Sequence, residues 1–180
     1  YGMGEKSIAE FAQLMQKGIP VSKLTTIPQT SFLVDPEESY ATKKNWDEFE
    51  LSSHEECLKD RKKYARNFMH IEEESNKMEA KKLTQKVGNK KIVVNPPWPT
   101  FKESEIDRVY DLPYTRMPHP RYSNKETIPA YEMIRHSINI HRGCFGGCTF
   151  CTISAHQGKF IASRSEKSVL KEVEKVTQMP

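Results

Sequence analysis

Apolar residues recur along the chain first at helical, then at strand, then again at helical spacing, and these changes of period divide it into elements. Ile8, Phe11, Ala12 and Met15 fall on one helical face, which Gly18 stops. Ahead of that face, Tyr1-Gly2-Met3-Gly4-Glu5 reads as a turn. Residues 19 to 50 mix Pro20, Pro28 and Pro36 with short apolar runs, of which Ser31-Phe32-Leu33-Val34 suits a short strand in an otherwise extended connector. Ser53 with Glu56 forms a capping box. Cys57, Arg61, Tyr64, Phe68 and Ile71 then recur at spacings of four and three, which predicts one helix with a packed face.

Further on, Leu83-Thr84-Gln85-Lys86-Val87 and Lys90-Lys91-Ile92-Val93-Val94 flank Gly88-Asn89, the pattern of a hairpin, although the first arm also fits a helix end. Asn95-Pro96-Pro97-Trp98-Pro99 closes the second arm with backbone that proline keeps non-helical. Glu105, Ile106, Val109 and Tyr110 predict a short helix ending before Pro113, and the proline-rich run from Leu112 to Tyr122 predicts irregular chain wrapped over a neighbouring surface. Ile134, His136, Ile138 and Ile140 alternate with polar residues, which predicts a strand running into a turn at Gly143. After it, Ser165 can cap a helix with Glu166 in its first turn and Val169, Leu170, Val173 and Val176 on one face. Strand, loop and helix in that order predict the opening of a parallel α/β barrel.

Composition sets the scale of this α/β chain. Of 180 residues, 36% are hydrophobic and 29% charged, and the mean hydropathy is -0.73, which favours exposed connectors over a complete compact enzyme. The net charge of +4 comes from basic residues interleaved with acidic ones, so it gives no support for nucleic-acid binding. No apolar run approaches the roughly 18 residues of a membrane span, and the start lacks a signal-peptide pattern. A soluble, cytoplasmic protein is expected. Tyr1 stands where a Met would begin a chain and Pro180 follows a helical pattern directly, so the chain reads as a fragment of a longer protein. Its division is expected at 1–20, the tail of a preceding α/β domain; 21–130, a connector with helices, a hairpin and proline-rich segments; and 131–180, the start of the barrel.

The chemistry concentrates in His141-Arg142-Gly143-Cys144-Phe145-Gly146-Gly147-Cys148-Thr149-Phe150-Cys151. A cubane iron-sulfur cluster takes four thiolates, so the spacing C-x3-C-x2-C leaves one iron open, as a catalytic zinc site leaves one coordination position open. Cysteines this close suit metal binding in a reducing compartment better than disulfides. The remaining cysteine, Cys57, sits on the apolar helical stripe and reads as a buried structural thiol. Glu72-Glu73-Glu74 and His70 read as a solvated helix face. Two other readings stay open: a structural zinc site in which His141 or His156 completes a Cys3His set, and an electron-transfer module, for which Cys57 is the spare ligand.

The cysteine run resembles the signature of the radical S-adenosylmethionine (SAM) superfamily, C-x3-C-x-aromatic-C, with Phe150 in the aromatic place. The resemblance implies that Cys144, Cys148 and Cys151 hold a [4Fe-4S] cluster and that Phe150 lies beside SAM through its backbone. It also implies that reductive cleavage of SAM yields a 5'-deoxyadenosyl radical acting on a substrate, with a reductant such as flavodoxin or ferredoxin as partner. Asn95-Pro96-Pro97, Leu112-Pro113-Tyr114 with Arg116, His119-Pro120, Tyr122, Ile128-Pro129-Ala130, Arg142-Gly143-Cys144-Phe145-Gly146-Gly147-Cys148, His156-Gln157-Gly158-Lys159 and Ser163-Arg164-Ser165 resemble the YgiQ-like family more closely. This implies an enzyme in the parent protein, with an unknown substrate and no membrane, and an inactive fragment, since the glycine-rich segment that grips SAM in such barrels has no counterpart here. His141, Arg142 and His156 flank the site, either tuning its potential or meeting substrate, or serving surface or supporting structural roles. The opening turn and helix resemble the end of a cobalamin-binding-like domain, over too few residues to imply cobalamin.

Overall fold

The structure is a computed structural model describing residues 3–179; Tyr1 and Gly2 of the opening turn, and Pro180, lie outside them. In chain order the elements are α1 (Glu5–Gln16), β1 (Ser31–Val34), β2 (Glu48–Glu50), α2 (His54–Lys59), α3 (Arg61–Ser75), β3 (Lys82–Val87) and β4 (Lys90–Val94). They continue with α4 (Glu103–Tyr110), α5 (Pro129–Ile134), β5 (His141–Arg142), α6 (Ile153–Gln157), β6 (Ala162–Ser163) and α7 (Glu166–Thr177). This mixed α/β chain forms two compact units: the first runs to Thr100 and includes Gly143–Phe160, and the second is Phe101–Arg142 with the chain from Ile161 on.

The first unit is built on a four-stranded sheet in the order β1-β4-β3-β2. The β3–β4 hairpin forms as expected, with Val87 opposite Lys90 and Gly88 at φ 58° in the turn. Strand β1 adds antiparallel to β4 and β2 parallel to β3. Ile27, Val34, Leu83 and Val93 are its buried apolar residues. Asn95, also buried, ends the sheet by donating through Nδ2 to the carbonyls of Thr25 (2.9 Å) and Ile27 (2.8 Å). Strand β2 has no apolar signature, and ions hold it: Glu48 pairs with Lys82 at 2.9 Å and Lys91 at 2.8 Å and accepts from the Thr84 hydroxyl at 3.0 Å. Burial raises the Glu48 pKa, but hydrogen bonds from Lys91, Lys82 and Thr84 outweigh it and hold the carboxyl at about 2.

The single helix expected after Ser53 is two. The capping box forms, with the Glu56 amide donating to Ser53 Oγ at 3.2 Å and the Ser53 amide to Glu56 at 2.9 Å. Asp60 then leaves helical geometry (φ -131°, ψ 104°) and caps α3 by accepting from the Lys62 amide at 2.8 Å. On α3 the expected apolar face lies outward: Tyr64 and Phe68 are exposed, while Asn67 and Glu74 are buried. The Asn67 amide group instead clasps the Ser52 backbone, accepting at 3.0 Å and donating at 2.8 Å. Helix α1 likewise exposes Ile8, Phe11 and Met15 and buries Ser7, whose hydroxyl donates to the Pro28 carbonyl at 2.8 Å and accepts from Trp98 Nε1 at 3.2 Å.

In the second unit, α4 forms where expected. The strand expected over 134–140 does not: Pro129 at the first helical position starts α5, which runs to Ile134, and the extended ladder is confined to His141 and Arg142. Strand β5 pairs antiparallel with β6, His141 opposite Ser163 and Arg142 opposite Ala162. Helix α7 is capped by Ser165, whose hydroxyl accepts from the Ser168 amide at 3.1 Å and donates to Asp107 at 2.6 Å. The buried Arg164 guanidinium stacks on Tyr110, 4.0 Å from the ring centre, donates to the Asn139 carbonyl at 2.9 Å and pairs with Glu172. Glu172 also takes Arg116, which anchors the proline-rich run by donating to the Ser137 carbonyl at 2.6 Å.

Candidate metal centre

Three cysteines of C-x3-C-x2-C lie on one loop of the first unit, between β5 and β6 in sequence. Its two limbs are joined where the Cys144 amide donates to the Gly158 carbonyl at 3.0 Å and the Gly143 amide to Gln157 Oε1 at 3.2 Å. Gly143 (φ 94°) and Gly158 (φ 86°) take backbone conformations at this closure that other residues rarely adopt. Between them, the Cys151 amide donates to the Cys148 carbonyl at 3.0 Å, a tight turn that sets those two ligand positions, and α6 follows. The return limb is tied to α3 by an ion pair between Lys159 and Glu72.

Cys144 and Cys151 are half-buried, Cys148 is exposed, and none of the three is in a disulfide. The Gly146 amide points at Cys144 Sγ, 3.4 Å away. A Cβ at Gly146 would sit 3.4 Å from Cys144 Sγ and 3.7 Å from Cys148 Sγ, ordinary contact distances that place this residue beside both sulfurs. Among the described residues, no three His, Cys, Asp or Glu side chains are already gathered as a metal site. The donor set nevertheless fits an iron-sulfur cluster: three free thiols on one closed loop and a backbone N–H directed at one sulfur.

The other residues singled out from sequence fall as follows. Phe150 is 89% exposed, so its ring lacks a packing role in the described chain. His156 is exposed on α6. His141 and Arg142 belong to β5 in the second unit, where Arg142 stacks 5.1 Å from the Tyr110 ring centre. Cys57 is half-buried on α2 rather than fully buried, and accepts from Asn67 Nδ2 at 3.1 Å while its thiol donates to the Ser52 carbonyl at 3.7 Å. Glu72, expected on a solvated face, instead receives Lys159. Sequence reasoning assigned no role to Lys159 or Gln157, and the only signal for them was their place in the run from His156 to Lys159.

The structure thus places three free cysteines at C-x3-C-x2-C spacing on one closed loop. The family described as Radical SAM N-terminal matches residues 1–137, and the chain belongs to it. Over its whole length the chain is similar to UPF0313 proteins. It is 56% identical to one from Bacteroides thetaiotaomicron over 191 residues, covering 100% of this chain and 30% of the relative. Identity is 55% to one from Porphyromonas gingivalis, covering 99% and 28%, and 43% to one from Geobacter sulfurreducens, covering 99% and 29%. The chain is thus a member of the YgiQ-like (UPF0313) radical SAM family, and it spans under a third of the length of these relatives. The family match ends before Cys144. No solved structure matches the chain. No helix among the described residues is long and apolar enough to cross a membrane.

Proposed function

We propose that the chain supplies the cluster-binding loop, and the region preceding it, of a radical SAM enzyme. The single observation that carries this reading is the closed loop bearing Cys144, Cys148 and Cys151 as free cysteines at C-x3-C-x2-C spacing, in a chain of the radical SAM N-terminal family. The three thiolates would hold a [4Fe-4S] cluster, and the chemistry such a group supplies when bound is one-electron reductive cleavage of the SAM sulfonium.

This chain's own residues do the positioning. The Gly146 N–H directed at Cys144 Sγ offers the ligand sulfur a hydrogen bond from the loop's own backbone. Gly147, at φ 60°, lets the chain turn between the first two ligands without a Cβ penalty. The joined limbs hold Cys144 against Gly158, so the ligands are presented from a fixed base. Phe150 would meet SAM through its backbone.

In this reading residues 1–20 close a preceding α/β domain, 21–130 connect, and 131–180 begin a barrel, with β5, the cysteine loop and α7 following in the order strand, loop, helix. The substrate is unassigned. A one-electron donor such as flavodoxin or ferredoxin would serve as reductant, and free cysteines suit a reducing cytoplasm. Anaerobic reconstitution with iron and sulfide followed by metal analysis tests the reading. A broad visible absorption band with about four irons per chain is expected, whereas tightly bound zinc without iron would replace this reading by the Cys3His one.

A further inference from the structure

We infer that Lys159 and Glu72 are positioning residues for the cysteine loop, their ion pair docking the loop's return limb on α3. The inference rests on the cluster-binding reading for its purpose, but not for its test. Lys159 directly follows Gly158, whose carbonyl receives the Cys144 amide. A fixed Lys159 therefore bears on the first cysteine position through one hydrogen bond and the single planar peptide that joins Gly158 to Lys159.

On the acidic side the pairing is selective. In the run Glu72-Glu73-Glu74, Glu74 is engaged by Lys77 at 2.6 Å and by the Lys81 amide at 2.8 Å, and Glu73 lies 3.4 Å from His70 Nδ1. Glu72 is the one that takes Lys159. The Lys159 side chain is only 11% exposed, so removing its partner leaves a largely buried, uncompensated charge, and the limb must shift to hydrate it. Helix α3 is a firm anchor, held through Asn67 to Ser52 and through Glu74 to the Lys81 backbone.

The test measures iodoacetamide alkylation of each cysteine by peptide mass spectrometry in the intact apo protein. Cys57, which contacts Asn67 on α3, reports whether that helix stays folded. Lys159→Met and Glu72→Gln should each speed alkylation of Cys144 and Cys151 by roughly fivefold to tenfold, the size expected of a partly buried pair, with Cys57 unchanged. The double charge reversal, Lys159→Glu with Glu72→Lys, should return both rates to within about twofold of wild type. Unchanged rates in the single variants, equal acceleration of Cys57, or a charge reversal no better than the single variants would overturn the inference. Reconstituted samples should show the same order in iron loss to a chelator. Absence of iron in the wild type would refute the cluster reading alone, leaving the alkylation result to stand.

Discussion

The amide of Cys144 donates to the carbonyl of Gly158 at 3.0 Å, and this bond joins the two limbs of the loop that carries all three clustered cysteines. Its acceptor sits in backbone that only glycine adopts comfortably, at φ 86° and ψ 166°. A Cβ at Gly158 would meet nothing within 4 Å, so the cost of alanine there is conformational rather than steric. Gly158→Ala should weaken the closure by about 1–3 kcal/mol. Hydrogen exchange at the Cys144 amide should accelerate by roughly tenfold while global unfolding changes little; an unaltered exchange rate would contradict this role.

Asn95 should be a stability determinant of the first unit. Its Nδ2 satisfies the Thr25 and Ile27 carbonyls in a site with 2% exposure. Asn95→Ala strands both acceptors and should cost about 2–4 kcal/mol. Asn95→Asp should cost at least as much, because a carboxylate would face two carbonyl oxygens. Urea unfolding followed by circular dichroism measures both, and a loss below about 1 kcal/mol would refute the assignment.

Glu48 should make the sheet acid-sensitive. Its folded pKa of about 2 lies below the ordinary value of 4.5. A lowered pKa adds stability that is complete above 4.5 and is lost as pH falls toward 2. The side chain is 35% exposed, so solvent screening reduces the gain to about 1 kcal/mol. Unfolding midpoints compared at about pH 6 and about pH 3 should show this loss in the wild type and a smaller one in Glu48→Gln.

Local signals in the sequence located elements where the relevant contacts are themselves local. Ser53 with Glu56, Gly88 in the hairpin and Ser165 ahead of α7 each mark a boundary that the structure keeps. Periodicity failed where tertiary contacts or a single polar residue override it. Asp60 can cap a helix as readily as continue one, so the break between α2 and α3 was hidden inside an unbroken apolar repeat. Alternation from Ile134 to Ile140 imitated a strand, but the N-terminal proline of α5 took Ile134 into a helix. Strand β2 depends on Lys82 and Lys91, far along the chain from Glu48, and carries no pattern of its own. At the candidate site the grouping of the three cysteines on one loop was legible from their spacing. The pairing of Lys159 with Glu72 was not, because it joins residues of opposite charge from widely separated segments, which no local motif reports.

The most direct test of the central claim is iron content after anaerobic reconstitution of single cysteine variants. Cys144→Ala, Cys148→Ala and Cys151→Ala should each fall well below the wild-type value of about four irons per chain, and Cys57→Ala should retain it. Full iron retention in any of the three, or its loss in Cys57→Ala, would contradict the assignment of the cluster to this loop.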